Sequence, residues 1–136
     1  MLGQAGAPDM LDRRTSLLLV IDIQDVLFPK TEGTVLRLVG QTPKLIQCAR
    51  ILSVPILVTE QNPAKLGGTT ADISAVLEDA RRLPKLEFGC FANPAFRAAL
   101  EQTGRRQLIM TGMETHICVL QTALAGLNLG YQIFVA

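Results

Sequence analysis

The chain has 136 residues, 49% hydrophobic and 18% charged, which is enough apolar material for one packed domain and too much for a disordered segment. The 13 Lys and Arg against 12 Asp and Glu leave a formal charge of +1 with no basic stripe, so nucleic acid is not an expected partner. No apolar run approaches the roughly 20 residues that span a bilayer and no signal-like leader opens the chain, so no membrane association and a soluble, cytoplasmic protein are expected.

Residues 1–14 show no hydrophobic period around Ala7-Pro8-Asp9 and are expected to form a flexible leader, with the domain occupying 15–136. Leu17 to Ile21 form a continuous apolar run ending at Asp22, the pattern of a strand covered on both faces. A helix is predicted from about Val35 to Leu52, with Leu45, Ile46, Ala49 and Leu52 on one face. Thr42-Pro43 either opens a fresh helix within that region or kinks a longer one. Pro55 to Thr59 give a second strand, and 61–70, broken by Pro63, Gly67 and Gly68, form a loop suited to a lid or rim.

Ile73, Val76 and Leu77 mark a short helix from near Thr70, and Leu83 to Phe88 a short edge strand. Asn93-Pro94 is a helix start, a capping side chain followed by proline at the first helical position, and Gly104 is the stop. Gln107 to Thr111 form the next strand. A helix then follows Cys118 to about Leu129, with Gly130 past its end and a last apolar strand from Gln132 to Ala136.

Five strands separated by helices predict an α/β fold: a three-layer α/β/α sandwich with a mostly parallel, Rossmann-like sheet, and ligands beyond the carboxyl ends of the strands. A last strand with no helix after it exposes an edge, from which a missing C-terminal piece or a covering partner chain is expected.

Cys48, Cys90 and Cys118 are odd in number and widely spaced, which fits reduced thiols. His116 is the only histidine and no ligand spacing surrounds it, so no metal or other cofactor is expected. Cys118 follows a glycine-containing strand-to-helix turn, where converging N–H groups and the helix dipole favour thiolate and can hold an oxyanion. Asp22 ends an apolar strand and must reach a cleft or find a partner; it is either a loop brace or a general base for the thiol. Lys85 is either a surface lysine or the cation that holds the resulting charges.

Asp22-Ile23-Gln24, Lys85 with Phe88, and Gly112 to Val119 with Thr122-Ala123 together resemble the isochorismatase-like cysteine hydrolase superfamily. The resemblance runs from about Thr15 to the end, and Val58 to Pro63 with Leu66-Gly67 is similar to its isochorismatase domain-containing branch rather than to the metal-binding nicotinamidases. It implies an isochorismatase fold lacking its usual last part, with Cys118 as nucleophile, Asp22 as acid/base and Lys85 as the supporting cation. It also implies a cis peptide between Met113 and Glu114, and an oxyanion hole formed by the N–H groups of Glu114 and Cys118. Gln24, Phe28 and Phe88 are the candidate substrate-binding residues.

The implied activity is hydrolysis of a small amide, carbamoyl or related carbonyl compound through a thioester, in a homo-oligomer. Two alternatives stand beside it: a catalytically idle scaffold, and a redox-sensitive protein in which Cys90 resolves an oxidised Cys118.

Overall fold

The computed structural model describes residues 10–28 and 32–136. Residues 1–9 of the expected leader lie outside that range. Within its remainder Asp12 is tied down, its N–H donating to Gln107 Oε1 at 2.8 Å and its carboxylate pairing with Arg14.

Five strands, β1 (Ser16–Ile21), β2 (Ile56–Gln61), β3 (Arg81–Lys85), β4 (Gln107–Gly112) and β5 (Gln132–Val135), form one sheet in the order β3-β2-β1-β4-β5. Every pairing is parallel. The helices are α1 (Glu32–Ile51), α2 (Pro63–Leu66), α3 (Ala71–Leu77), α4 (Pro94–Thr103) and α5 (Leu120–Asn128). The sheet has helices on both sides because β1 is apolar at every position. Leu17, Leu19 and Ile21 pack with Phe96, Leu100 and Val119 of the α4–α5 side, while Leu18 and Val20 pack with Ile46, Ile73 and Leu77 of the α1–α3 side. Each such fully buried aliphatic side chain contributes about 1.5–3 kcal/mol, which makes β1 the mechanical centre of the domain.

The chain leaves β1 toward β2 and β3 on one side and returns through β4 and β5 on the other. The carboxyl ends of β1 and β4 therefore flank the point where strand order reverses, the place where an open α/β sheet offers a crevice.

Some boundaries differ from the sequence expectation. Pro43 lies inside one continuous α1, so Thr42-Pro43 does not start a new helix. β2 runs on to Gln61, two residues beyond the expected end at Thr59, which takes Gln61 out of the expected loop and into the ladder. β3 lies two to three residues earlier than its apolar run suggests: Arg81 and Arg82 pair with Leu57 and Val58, and Pro84 is tolerated because β3 is an edge strand. The α4 boundaries follow their signals, with Asn93 Oδ1 accepting from the Phe96 N–H at 3.0 Å and Gly104 at φ 65.

Candidate active site

At the end of β1 the chain turns at once. Asp22 takes φ 51, held there by its N–H donating to the Thr59 carbonyl at 3.1 Å. A non-glycine residue in this region costs about 1–2 kcal/mol, and aspartate is among the few that visit it. The Asp22 carboxylate is wholly buried with both oxygens bonded: Thr59 Oγ1 donates to Oδ1 at 2.8 Å and Lys85 Nζ to Oδ2 at 2.7 Å.

Lys85 is the last residue of β3 and is itself buried. Besides Asp22, its ammonium donates to Gln61 Oε1 at 2.6 Å and to the carbonyls of Glu87 and Phe88 at 2.9 and 3.0 Å. The edge position of β3 makes this geometry available, because the chain curls back over its own end and presents those carbonyls to Nζ. A buried ammonium needs such a cage, since its desolvation is costly unless donors are satisfied and a counter-charge is near.

Cys118 arrives from β4. Gly112 ends that strand, Met113 donates its N–H to the Ile21 carbonyl at 3.0 Å, and Glu114 reverses the chain at φ 57, ψ 56. The implied cis bond between Met113 and Glu114 is absent: no peptide among the described residues is cis, and the left-handed Glu114 makes the reversal instead. Thr115–Val119 then form a π-helical turn before α5 begins, so Cys118 does not occupy the first turn of an ordinary α-helix. Single π turns inside helical segments recur at functional sites.

Cys118 is 3% exposed, and the Asp22 carboxylate is near enough to act on its thiol. Burial pushes its pKa up to about 12, the adjacent carboxylate adds to the rise, and Lys85 offsets part of it. The sequence argument for a helix-stabilised thiolate is thereby corrected: in the free protein the sulfur keeps its proton, because desolvation and Asp22 outweigh local backbone dipoles.

The structure thus brings Asp22, Lys85 and Cys118 together at the carboxyl ends of β1, β3 and the turn after β4. Glu114 lies beside them, its carbonyl accepting the N–H groups of Ile117 and Val119 at 2.9 and 3.4 Å, and its carboxylate 3.6 Å from the exposed His116. Gln24 is wholly buried and its amide is engaged at both ends: Nε2 donates to the carbonyls of Gln61 and Gly67 at 2.9 and 2.6 Å, and Oε1 accepts from the Gln61 N–H at 2.7 Å. It braces the loop after β2. Phe28 packs against the α1–α3 side of the core, whereas Phe88 has its ring exposed and its carbonyl on Lys85.

Three further residues belong to the constellation. Thr59 and Gln61 touch Asp22 and Lys85 as described, and Thr122 Oγ1 accepts the Cys90 N–H at 3.0 Å while donating to the Cys118 carbonyl at 2.6 Å. Thr59 carried a readable signal, a hydroxyl closing the apolar run Ile56 to Val58; Gln61 carried only its place just past the strand end, because its role depends on which strand lies beside it. Cys90 is buried beneath the site with its thiol pushed up to about 11 by burial, and Cys48 is exposed on α1. Among the described residues no group of His, Cys, Asp or Glu side chains is gathered as a metal-ligand set, and no helix is long and apolar enough to cross a membrane. A groove of about 560 Å³ near Met10, Leu52 and Ile109 contains none of the site residues.

A five-stranded all-parallel sheet with helices on both sides is the fold of isochorismatase-family structures. The chain belongs to the isochorismatase family, whose domain model matches residues 16–136. It is 34% identical over 125 residues to the secreted isochorismatase effector Isc1 of Phytophthora sojae, a match covering 89% of this chain and 59% of Isc1. To isochorismatase domain-containing protein 1 of Salmo salar it is 37% identical over 122 residues, covering 88% of this chain and 41% of the relative. The chain therefore spans about half the length of these relatives. Among solved structures, the MAR1 ribonuclease of Caenorhabditis elegans superposes with a TM-score of 0.83 at 31% identity, covering 94% of this chain and 65% of that one. One relative is named as secreted, so family membership does not by itself fix a compartment.

Proposed function

We propose that the chain is a metal-independent cysteine hydrolase acting on a small amide, carbamoyl or related carbonyl substrate. One observation carries the reading: a single buried carboxylate, Asp22, binds the Lys85 ammonium at 2.7 Å and is near enough to the Cys118 thiol to act on its proton. In this scheme the Cys118 proton passes to Asp22 as sulfur forms a bond to the carbonyl carbon, and the N–H groups of Glu114 and Cys118 donate to the oxyanion. Protonated Asp22 gives its proton to the departing nitrogen as the C–N bond breaks, leaving a thioester. Asp22 next takes a proton from water as the water oxygen attacks, and returns it to sulfur when the acid departs. Lys85 stays charged throughout and offsets the anion that moves between carboxylate and sulfur.

A formal charge of +1 and the absence of a basic stripe favour a small substrate over RNA. The test is a screen of small amides and ureido compounds for ammonia release, with Cys118→Ser as blank and single-stranded RNA as a parallel substrate. Turnover of an amide, lost in Cys118→Ser, Asp22→Asn and Lys85→Ala, is expected; RNA cleavage that survives Cys118→Ser overturns the reading.

The self-association that the hydrolase and the idle-scaffold readings share has a candidate surface on α5. Leu120, Leu124 and Leu127 are about half exposed along the outer side of α5, an apolar stripe suited to self-association. Sedimentation of the parent beside Leu124→Glu distinguishes an assembly built on that helix from one that ignores it.

A further inference from the structure

We infer that Gln61 is a positioning residue of this site, a neutral partner that sets the charge and direction of Lys85; the inference rests on the hydrolase reading above. Gln61 ends β2 and stands opposite Lys85 in the parallel register of β2 and β3. Its side-chain Oε1 accepts from Lys85 Nζ at 2.6 Å, while its Nε2 donates to the Leu86 carbonyl at 2.9 Å. The two bonds fix the amide's orientation, because a flip would set its NH₂ against an ammonium and its oxygen against a carbonyl.

The residue type matters as much as its place. An ammonium has three protons, and Nζ meets four acceptors here, of which only Asp22 is charged. The neutral ones compensate the desolvation of Lys85 without adding negative charge where sulfur must become an anion. A glutamate at 61 would bond the lysine equally well and would compete for its charge with the Cys118 sulfur.

Gln61 is held in turn from the far side. Gln24 grips its main chain, accepting from its N–H at 2.7 Å and donating to its carbonyl at 2.9 Å. Gln24 lies two residues after Asp22, so Asp22, Gln24, Gln61 and Lys85 form a closed ring of chain and hydrogen bonds. Gln24 Nε2 donates as well to the Gly67 carbonyl, which ties the segment around α2 to this ring.

The test needs no substrate. Alkylation of Cys118 by iodoacetamide is followed on its own peptide by mass spectrometry at a fixed alkaline pH below the titration midpoint, with exposed Cys48 as reference in the same sample. Gln61→Glu, close to isosteric, is expected to slow Cys118 relative to Cys48 by about tenfold for each unit its pKa rises. Gln61→Met, which lacks the acceptor, is expected to slow it as well, by less. A role limited to packing gives the opposite sign, since loosening the site exposes the sulfur and speeds alkylation; parent-like or faster rates in both variants overturn the inference. Lys85→Met separates the two levels. If it slows Cys118 while the Gln61 variants do not, Gln61 alone is misassigned; if it has no effect, the hydrolase reading falls and this inference with it.

Discussion

Gly112 and Ile21, the last residues of β4 and β1, are in such close contact that a Cβ on Gly112 would stand 2.4 Å from the Ile21 carbonyl oxygen and 2.7 Å from its Cβ. The obstruction is backbone of the best-packed strand, which cannot give way as a flexible side chain would. Because Asp22 follows Ile21 and the nucleophile turn follows Gly112, this contact sets how near the carboxylate and the thiol come. Gly112→Ala is expected to part the two strand ends, costing about 1–3 kcal/mol in urea unfolding and most of any turnover. Parent-like unfolding would show that the strands move apart without penalty.

The raised thiols give a signed pH dependence. Cys118 and Cys90 are pushed from an ordinary value of 9.0 up to about 12 and about 11, in both cases first by burial. A folded state that keeps a proton the unfolded chain releases is fully stabilised below the unfolded pKa and loses stability as pH rises toward the folded one. Stability is therefore expected to fall from about pH 9 upward, by at most roughly 1.4 kcal/mol per pH unit for each thiol. Cys90→Ala should flatten the slope of unfolding free energy against pH in that window. An unchanged slope would locate the alkaline loss elsewhere.

Thr122 is expected to be a positioning residue for the nucleophile turn. Its hydroxyl joins the Cys118 carbonyl and the Cys90 N–H, and it is completely buried. Thr122→Val keeps the shape and strands both groups, for which a loss of about 1–3 kcal/mol is expected together with a fall in kcat. Thr122→Ser restores the hydroxyl and should recover kcat more fully than stability, since it gives back the bridge but not the methyl group. Equal kcat in the valine and serine variants would show that the bridge has no bearing on the turn.

Asp22 and Cys118 were legible in the sequence because each terminates or follows an apolar run, and strand ends are where a parallel sheet presents function. Lys85 was less so: its edge strand is short, interrupted by Pro84 and begins with two arginines, and an apolar-run reading places it too late in the chain. Gln24 reads as a polar residue after a strand, but that both ends of its amide would be consumed by Gln61 and Gly67 depends on folding, not on spacing. Gln61 reads as the first residue of a loop because the residue that makes it part of a strand and of the site, Lys85, lies 24 positions away. The state of the Cys118 proton ran opposite to the local argument for the same reason. Dipoles at a turn are local, whereas the carboxylate that raises the thiol comes from another strand.

The Asp22–Lys85 pair gives the sharpest test of how the site is held. Both side chains are buried, at 2.7 Å, so removing one leaves the other charged and unpaired in a dry interior. Lys85→Met and Asp22→Asn are each expected to cost about 3–5 kcal/mol in urea unfolding, because breaking a buried pair leaves an uncompensated charge. The double variant removes both charges and should cost clearly less than the sum, with a coupling of up to about 3 kcal/mol, since neutral groups of similar size tolerate burial better than a lone ion. Turnover is expected to be lost in all three, because the asparagine cannot take the thiol proton and the methionine cannot offset the anion. Stability recovered without activity would separate the pair's structural role from its chemical one; strictly additive costs would mean that the two charges do not act on each other, and the electrostatic support assigned to Lys85 would have to be withdrawn.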